Sequence, residues 1–196
     1  MAAGVELKSF SVGSFDNNVY ILVDAETKDS VLFDAPTEAE RILRELEGTH
    51  LKYILMTHAD GDHVTALEEI KEKTAAPIGA HADTSWNMPI KPDFELHDAD
   101  EIRFGNSMLK AFYTPGHSPG SMCFLIGDLL IAGDTLFPGG PGNTQHARGD
   151  FGQIIDSITN KLFVLPDETK VLPGHGAPTT IGAERPHLDE WRTRGW

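Results

Sequence analysis

The 196-residue chain has one cysteine, Cys123, so an internal disulfide is excluded and a reducing compartment is expected. No apolar run approaches the length of a membrane span. Met1–Glu6 has no basic segment followed by an apolar run, so no signal peptide is expected and the location reads as cytoplasmic. Positive charge is scarce. Sixteen Lys and Arg against 30 Asp and Glu leave a net charge of -14, which argues against a nucleic-acid binder. Two catalytic signatures are also missing. There is no Gly-x-Ser-x-Gly elbow. The glycine-rich run Gly139–Asn143 lacks the Lys-Ser/Thr ending of a phosphate loop and reads as a pocket rim. Cys123 lies inside an apolar strand and reads as core, not as a nucleophile. There is no repeat, linker or low-complexity segment, and the length suits one domain over residues 1–196.

What is present centres on Thr57-His58-Ala59-Asp60-Gly61-Asp62-His63. The apolar run Leu51–Met56 before it reads as a buried strand, and Val64–Lys73 after it reads as a helix. Two histidines and two aspartates thus occupy a turn between strand and helix, a metal-ligand composition on a rigid scaffold. Asp62 and His63 are adjacent and must diverge, whereas His58 and Asp60 can converge on one ion. That spacing suggests two neighbouring ions. Three further stretches share a pattern of apolar strand, glycine, then His or Asp: Thr114-Pro115-Gly116-His117, Ala132-Gly133-Asp134 and Leu172-Pro173-Gly174-His175. Glycine permits the tight turns and close backbone approach that such ends need.

Strands are expected at residues 5 to 11, Asn17–Asp24, Ser30–Asp34, Ala76–Ala80, Phe94–Leu96, Glu101–Phe104, Met108–Tyr113, Ser121–Ile126, Leu129–Ala132 and Thr169–Leu172. Helices are expected from Pro36 to about Leu46 and over Phe151–Leu162, with a partly helical tail from residue 180 to 196. Residues 82 to 92 and 137 to 150 read as loops. The order is not a steady strand-helix alternation, so sheets covered by helices are expected, not a doubly wound sheet.

These stretches resemble the metallo-beta-lactamase superfamily, most closely its glyoxalase II-like hydrolases. The likeness extends from the Asn17–Asp34 hairpin through Thr179-Thr180-Ile181-Gly182. It implies an αββα sandwich with its metals at one edge. It implies that His58, Asp60 and His117 hold a first divalent ion. Asp62, His63 and His175 would hold a second, and Asp134 would bridge. Asp60 stands where the family usually has histidine, and Asn143 where it usually has arginine. Zinc is the first expectation for the metal, with iron or manganese suited to the Asp60 carboxylate.

The resemblance implies a hydroxide on the metals attacking a small carbonyl substrate, a thioester first and an ester or lactone next, with Asp62 and Asp134 as the catalytic carboxylates. A non-haem iron redox or persulfide-oxidising enzyme is the alternative, resting on Asp60. A degenerate metal-binding partner is the third reading. Trp86, Phe137, Trp191 and Trp196 are candidate pocket residues. His81 and Asp83 are candidates for support behind the ligands. Arg148 reads as solvated, or as a partner for an acidic substrate group. His97, His146 and His187 have no supporting context.

Overall fold

The computed structural model describes residues 4–195. Its first sheet has the order β1 (Val5–Val12), β2 (Asn17–Asp24), β3 (Asp29–Phe33), β4 (His50–Leu55), β5 (Ile78–Ala80) and β6 (Phe94–Glu95). The first three strands pair antiparallel and the rest parallel. A second sheet contains β7 (Glu101–Phe104), β8 (Ser107–Tyr113), β9 (Met122–Ile126) and β10 (Leu129–Gly133). β13 (Lys170–Pro173) pairs parallel with β10, and β14 (Thr179–Thr180) closes that edge. Between β10 and β13, β11 (Leu136–Phe137) and β12 (Gly140–Pro141) form a small hairpin.

β2 is buried along its whole length because both its faces are covered. Val19, Ile21 and Val23 face α1 (Ala39–Leu46) and α3 (Leu67–Thr74) in one core. Tyr20 and Leu22 face the second sheet in another. β10 divides likewise. Leu129 and Ile131 join the inter-sheet core. Leu130 and Ala132 join a third core with α4 (Phe151–Ser157), α5 (Ile181–Glu184) and α6 (Leu188–Arg194). Such strands read as continuous apolar runs because neither face meets water. The layers are therefore helix, sheet, sheet, helix: the αββα sandwich. Phe33 and Phe124 meet across the sheets at 5.2 Å between ring centroids. Truncating either ring would cost about 3–5 kcal/mol.

The expected helix Val64–Lys73 is divided. α2 (Gly61–Val64) ends before Ala66, whose N–H donates to Ala35 O and Pro36 O, while Ala35 N donates back to His63 O. The chain after β3 has taken over hydrogen bonds that a continuous helix would use. The expected helix over Phe151–Leu162 is present, capped by Asp150 accepting from Gln153 N, but widens to a π turn at Ile158–Leu162. The partly helical tail is as expected through Arg194, while Trp196 lies outside the described residues. Among the described residues, no helix is long and apolar enough to cross a membrane.

Candidate metal centre

The four ligand-bearing stretches follow β4, β8, β10 and β13. β8 and β10 each run antiparallel to β9, and β10 runs parallel to β13. Their C-terminal ends therefore share one edge of the second sheet. Main-chain bonds lock the first sheet against it: Met122 N donates to Thr57 O at 2.7 Å, and Asn18 N donates to Gly174 O at 2.7 Å. Gly174 N in turn donates to Gly133 O. Glycine is required at position 174, where a methyl group would overlap Asp134 Oδ1 and crowd His63.

This edge gathers six of the seven expected residues into two neighbouring groups of three, with Asp134 between them. His58, Asp60 and His117 form one, with His117 Nε2 3.2 Å from Asp60 Oδ2. Asp62, His63 and His175 form the other, with His175 Nε2 3.3 Å from Asp62 Oδ2. Asp134 Oδ2 is 3.8 Å from His117 Nε2 and 3.6 Å from His175 Nε2, and its Oδ1 is 3.6 Å from His63 Nε2.

The outer ring nitrogens fix the tautomers. Nδ1 of His117 donates to Asn143 O, and Nδ1 of His175 donates to Phe15 O, both at 2.8 Å. Nδ1 of His63 donates to Asp34 Oδ2 at 2.9 Å. The Thr57 hydroxyl also donates to Asp34 Oδ2, and Nδ1 of His58 then donates to Thr57 Oγ1. When neutral, each ring thus presents an Nε2 lone pair to the same space. Nε2 atoms of His63 and His175 stand 3.3 Å apart, close enough to share one proton or to meet at one metal ion. Buried His58 Nε2, His117 Nε2 and Asp134 Oδ1 have no hydrogen-bond partner. Buried polar atoms are seldom left so, and this donor set fits divalent metal.

Asp34, Asn17 and Thr57 were not singled out from the sequence. Asp34 also accepts from Thr57 N at 2.7 Å, and so orients two ligand histidines. Asn17 Nδ2 donates to Asp62 Oδ2 at 2.9 Å. The sequence signal for Asp34 is its place after the apolar strand Val31–Phe33. It lacks the glycine that precedes His117, Asp134 and His175.

Charge follows from this packing. Burial, reinforced by His63 and His117, drives His58 well below the usual histidine range. Burial also opposes charge on His63, but Asp134, Asp34 and Asp62 outweigh it and lift that ring to about 9. His117 is raised against its burial by Asp60 and Asp134. The hydrogen bond to Asp62 raises His175. The same bond holds Asp62 well below the ordinary carboxylate range, aided by Asn17. Asp60 is lowered too, the charge of His117 at 3.2 Å and of the other nearby imidazoles outweighing burial.

Two clefts flank Asp62. One, of about 310 Å³, is lined by Phe15, Asn17, Pro36 and Thr37. The other, of about 390 Å³, is lined by Asp60, Trp86, Asn87, His146 and Arg148. Trp86 therefore lines a cleft as expected, and His146, its ring 5.4 Å from that of His117, joins it unforeseen. Phe137 lines a separate hollow with Gly139–Gln145. Trp191 does not line a pocket: it is buried against Phe163 in the third core. His81 stacks on Tyr113, and Asp83 accepts from Tyr113 Oη. The roughly 400 Å³ cleft beside His81 and Phe94 contains none of the seven residues. Burial pushes the Cys123 thiol up to about 11, which suits a packed, neutral side chain.

Comparison with known proteins agrees with this geometry. The family model described as the metallo-beta-lactamase superfamily matches residues 12–175. A probable metallo-hydrolase, YqgX of Bacillus subtilis, is 35% identical, covering 89% of this chain and 92% of its own. The hydroxyacylglutathione hydrolase GloC of Haemophilus influenzae is 31% identical, covering 92% and 95%. The crystal structure of BLEG-1 B3 metallo-beta-lactamase superposes with a TM-score of 0.87 at 31% identity, covering 93% and 98%. With its αββα layers and its strand-end cluster of histidines and aspartates, the chain belongs to the metallo-beta-lactamase superfamily and is related to its glyoxalase II-like members.

Proposed function

We propose that this protein is a metal-dependent hydrolase of small thioesters or esters. The observation that carries the reading is the convergence of four Nε2 atoms and three carboxylates at one edge of the sandwich, with buried His58 Nε2, His117 Nε2 and Asp134 Oδ1 left without partners. His58, Asp60 and His117 would hold one divalent ion, Asp62, His63 and His175 a second, and Asp134 both. Ions bound there supply an acidified water and Lewis-acid polarisation of a carbonyl. Asp62 does the proton work. Asn17 Nδ2 donates to its Oδ2 and leaves the other carboxylate oxygen open. The free carboxylate oxygen then takes the proton of the attacking water and returns it to the leaving group. Asp34 keeps the Nε2 lone pairs of His63 and His58 aimed inward throughout.

Likeness to a hydroxyacylglutathione hydrolase supports a thioester as the first substrate class. Asp60 favours a second reading. A carboxylate at 3.2 Å from His117 Nε2 is a harder donor than imidazole and suits iron or manganese. An iron-dependent redox or persulfide-oxidising enzyme is built on that preference. The test is to load chelated protein anaerobically with zinc, iron(II) or manganese. Each form is assayed on an acyl-thioester, a lactone and a β-lactam, and for oxygen uptake with a persulfide. Thioester or lactone cleavage that disappears on chelation is expected. Hydrolysis indifferent to chelation sinks the proposal, and oxygen uptake confined to the iron form favours the second reading.

A further inference from the structure

The cleft over Asp60 and Asp62 is roofed by a pair of side chains from opposite loops. The Arg148 guanidinium carbon lies 3.7 Å from the centroid of the Trp86 ring. Both loops are anchored to the ligand loops. Asn87 Nδ2 donates to Ala59 O at 2.6 Å, beside Asp60. On the other side His117 Nδ1 donates to Asn143 O, and Asp150 N donates to Gly116 O. The cation is therefore held at a defined place relative to the ligand residues. Stacking uses one face of the guanidinium and leaves its in-plane N–H donors available. Among the described residues, Arg148 has no carboxylate partner. The chain carries a net charge of -14, and this guanidinium lies at the cleft beside Asp60 and Asp62. Trp86, 37% exposed, gives an apolar wall beside that charge. A flat apolar surface next to a forked donor fits an acyl chain ending in a carboxylate.

Building on the hydrolase reading, we propose that Arg148, held on Trp86, recognises a carboxylate on the acyl arm of the substrate. The substrate class is then a carboxylate-bearing acyl thioester or ester. Arg148 is a specificity residue and takes no part in bond cleavage. The test compares glutaryl and pentanoyl thioesters of one neutral thiol, which differ only at the acyl terminus. Zinc-loaded wild type should prefer the glutaryl compound. Arg148→Gln should lower the glutaryl-to-pentanoyl ratio of kcat/KM about tenfold. Arg148→Lys, which keeps charge but loses the planar fork, should retain part of the preference. Calorimetry with glutarate and pentanoate supplies a readout without turnover, and the shared carboxylate-metal contribution cancels in their ratio. That ratio should fall in Arg148→Gln as well. Ratios unchanged by Arg148→Gln overturn the assignment. If neither thioester is hydrolysed by any metal form, the hydrolase reading fails, and the binding ratio alone decides on Arg148.

Discussion

Asp34 has φ 57°, in the left-handed region that aspartate and asparagine tolerate better than most residues. That turn aims one carboxylate at Thr57 N, Thr57 Oγ1 and His63 Nδ1 together. The consequence is tautomeric control of two ligands by a residue that need touch no metal. Asp34→Asn tests this with little backbone cost, since asparagine accepts the same φ. An amide nitrogen facing His63 Nδ1 would favour the tautomer with its proton on Nε2, pointing into the centre. Metal affinity should fall about 10–100-fold, measured by titrating chelated protein against a competing chelator. An unchanged affinity would mean that the hydrogen bond does not set the tautomer. The candidate ligands were legible because each sits beside a strand end with a distinctive turn. Asp34 was not, since an aspartate ending a strand is common and its role depends on which strand lies alongside.

Among the elements, strands were more legible than helices. β2, β3 and β10 announce themselves by apolar runs covered on both faces. The boundary between α2 and α3 was hidden because it is made by Ala35 and Pro36, distant in sequence from Ala66. β12 was hidden because its Gly140–Pro141 carries little strand signal, and β11, Leu136–Phe137, is too short to show a period. At the sandwich end opposite the centre, Asp24 closes β2 onto the turn between β7 and β8. It accepts from Thr27 N, Asn106 N and Ser107 Oγ, the last at 2.7 Å. These bonds, led by Thr27 N and Ser107 Oγ, lower its pKa to about 2. A depressed folded-state value contributes stability above the unfolded value near 4, and loses it as pH falls through about 2. Stability, followed by circular dichroism on acidification, should therefore fall between those limits in wild type. Asp24→Asn should be less stable at pH 7 and show a shallower decline over the same interval. Parallel acid curves would remove Asp24 as a contributor.

For the whole molecule, three cores explain why the fold could be read from patterning, while the arrangement of the strand ends could not. Nothing in Leu129–Gly133 or Lys170–Pro173 says that they run parallel, yet that pairing puts Asp134 beside His175. The assembled centre also couples stability to pH. After chelation, His63 is protonated at neutral pH because Asp134, Asp34 and Asp62 outweigh its burial and raise it to about 9. A raised histidine stabilises the chelated fold fully below its unfolded value near 6.5, and that contribution is lost as pH climbs through about 9. Metal binding has the opposite dependence, because the His63 proton must leave Nε2 before a metal can be bound there. Affinity should rise about tenfold per pH unit for each proton displaced, and level off above the histidine's own value. The difference between loaded and chelated protein follows this apparent affinity, in which competition by the His63 proton is already contained. The gap in Tm at fixed zinc should widen from pH 6 to pH 9, and zinc uptake at pH 7 should release protons, detectable by calorimetry in buffers of different ionisation enthalpy. A Tm gap constant across that range, with no proton release, would show that His63 is already neutral and that its carboxylate neighbours do not hold a proton in place of metal.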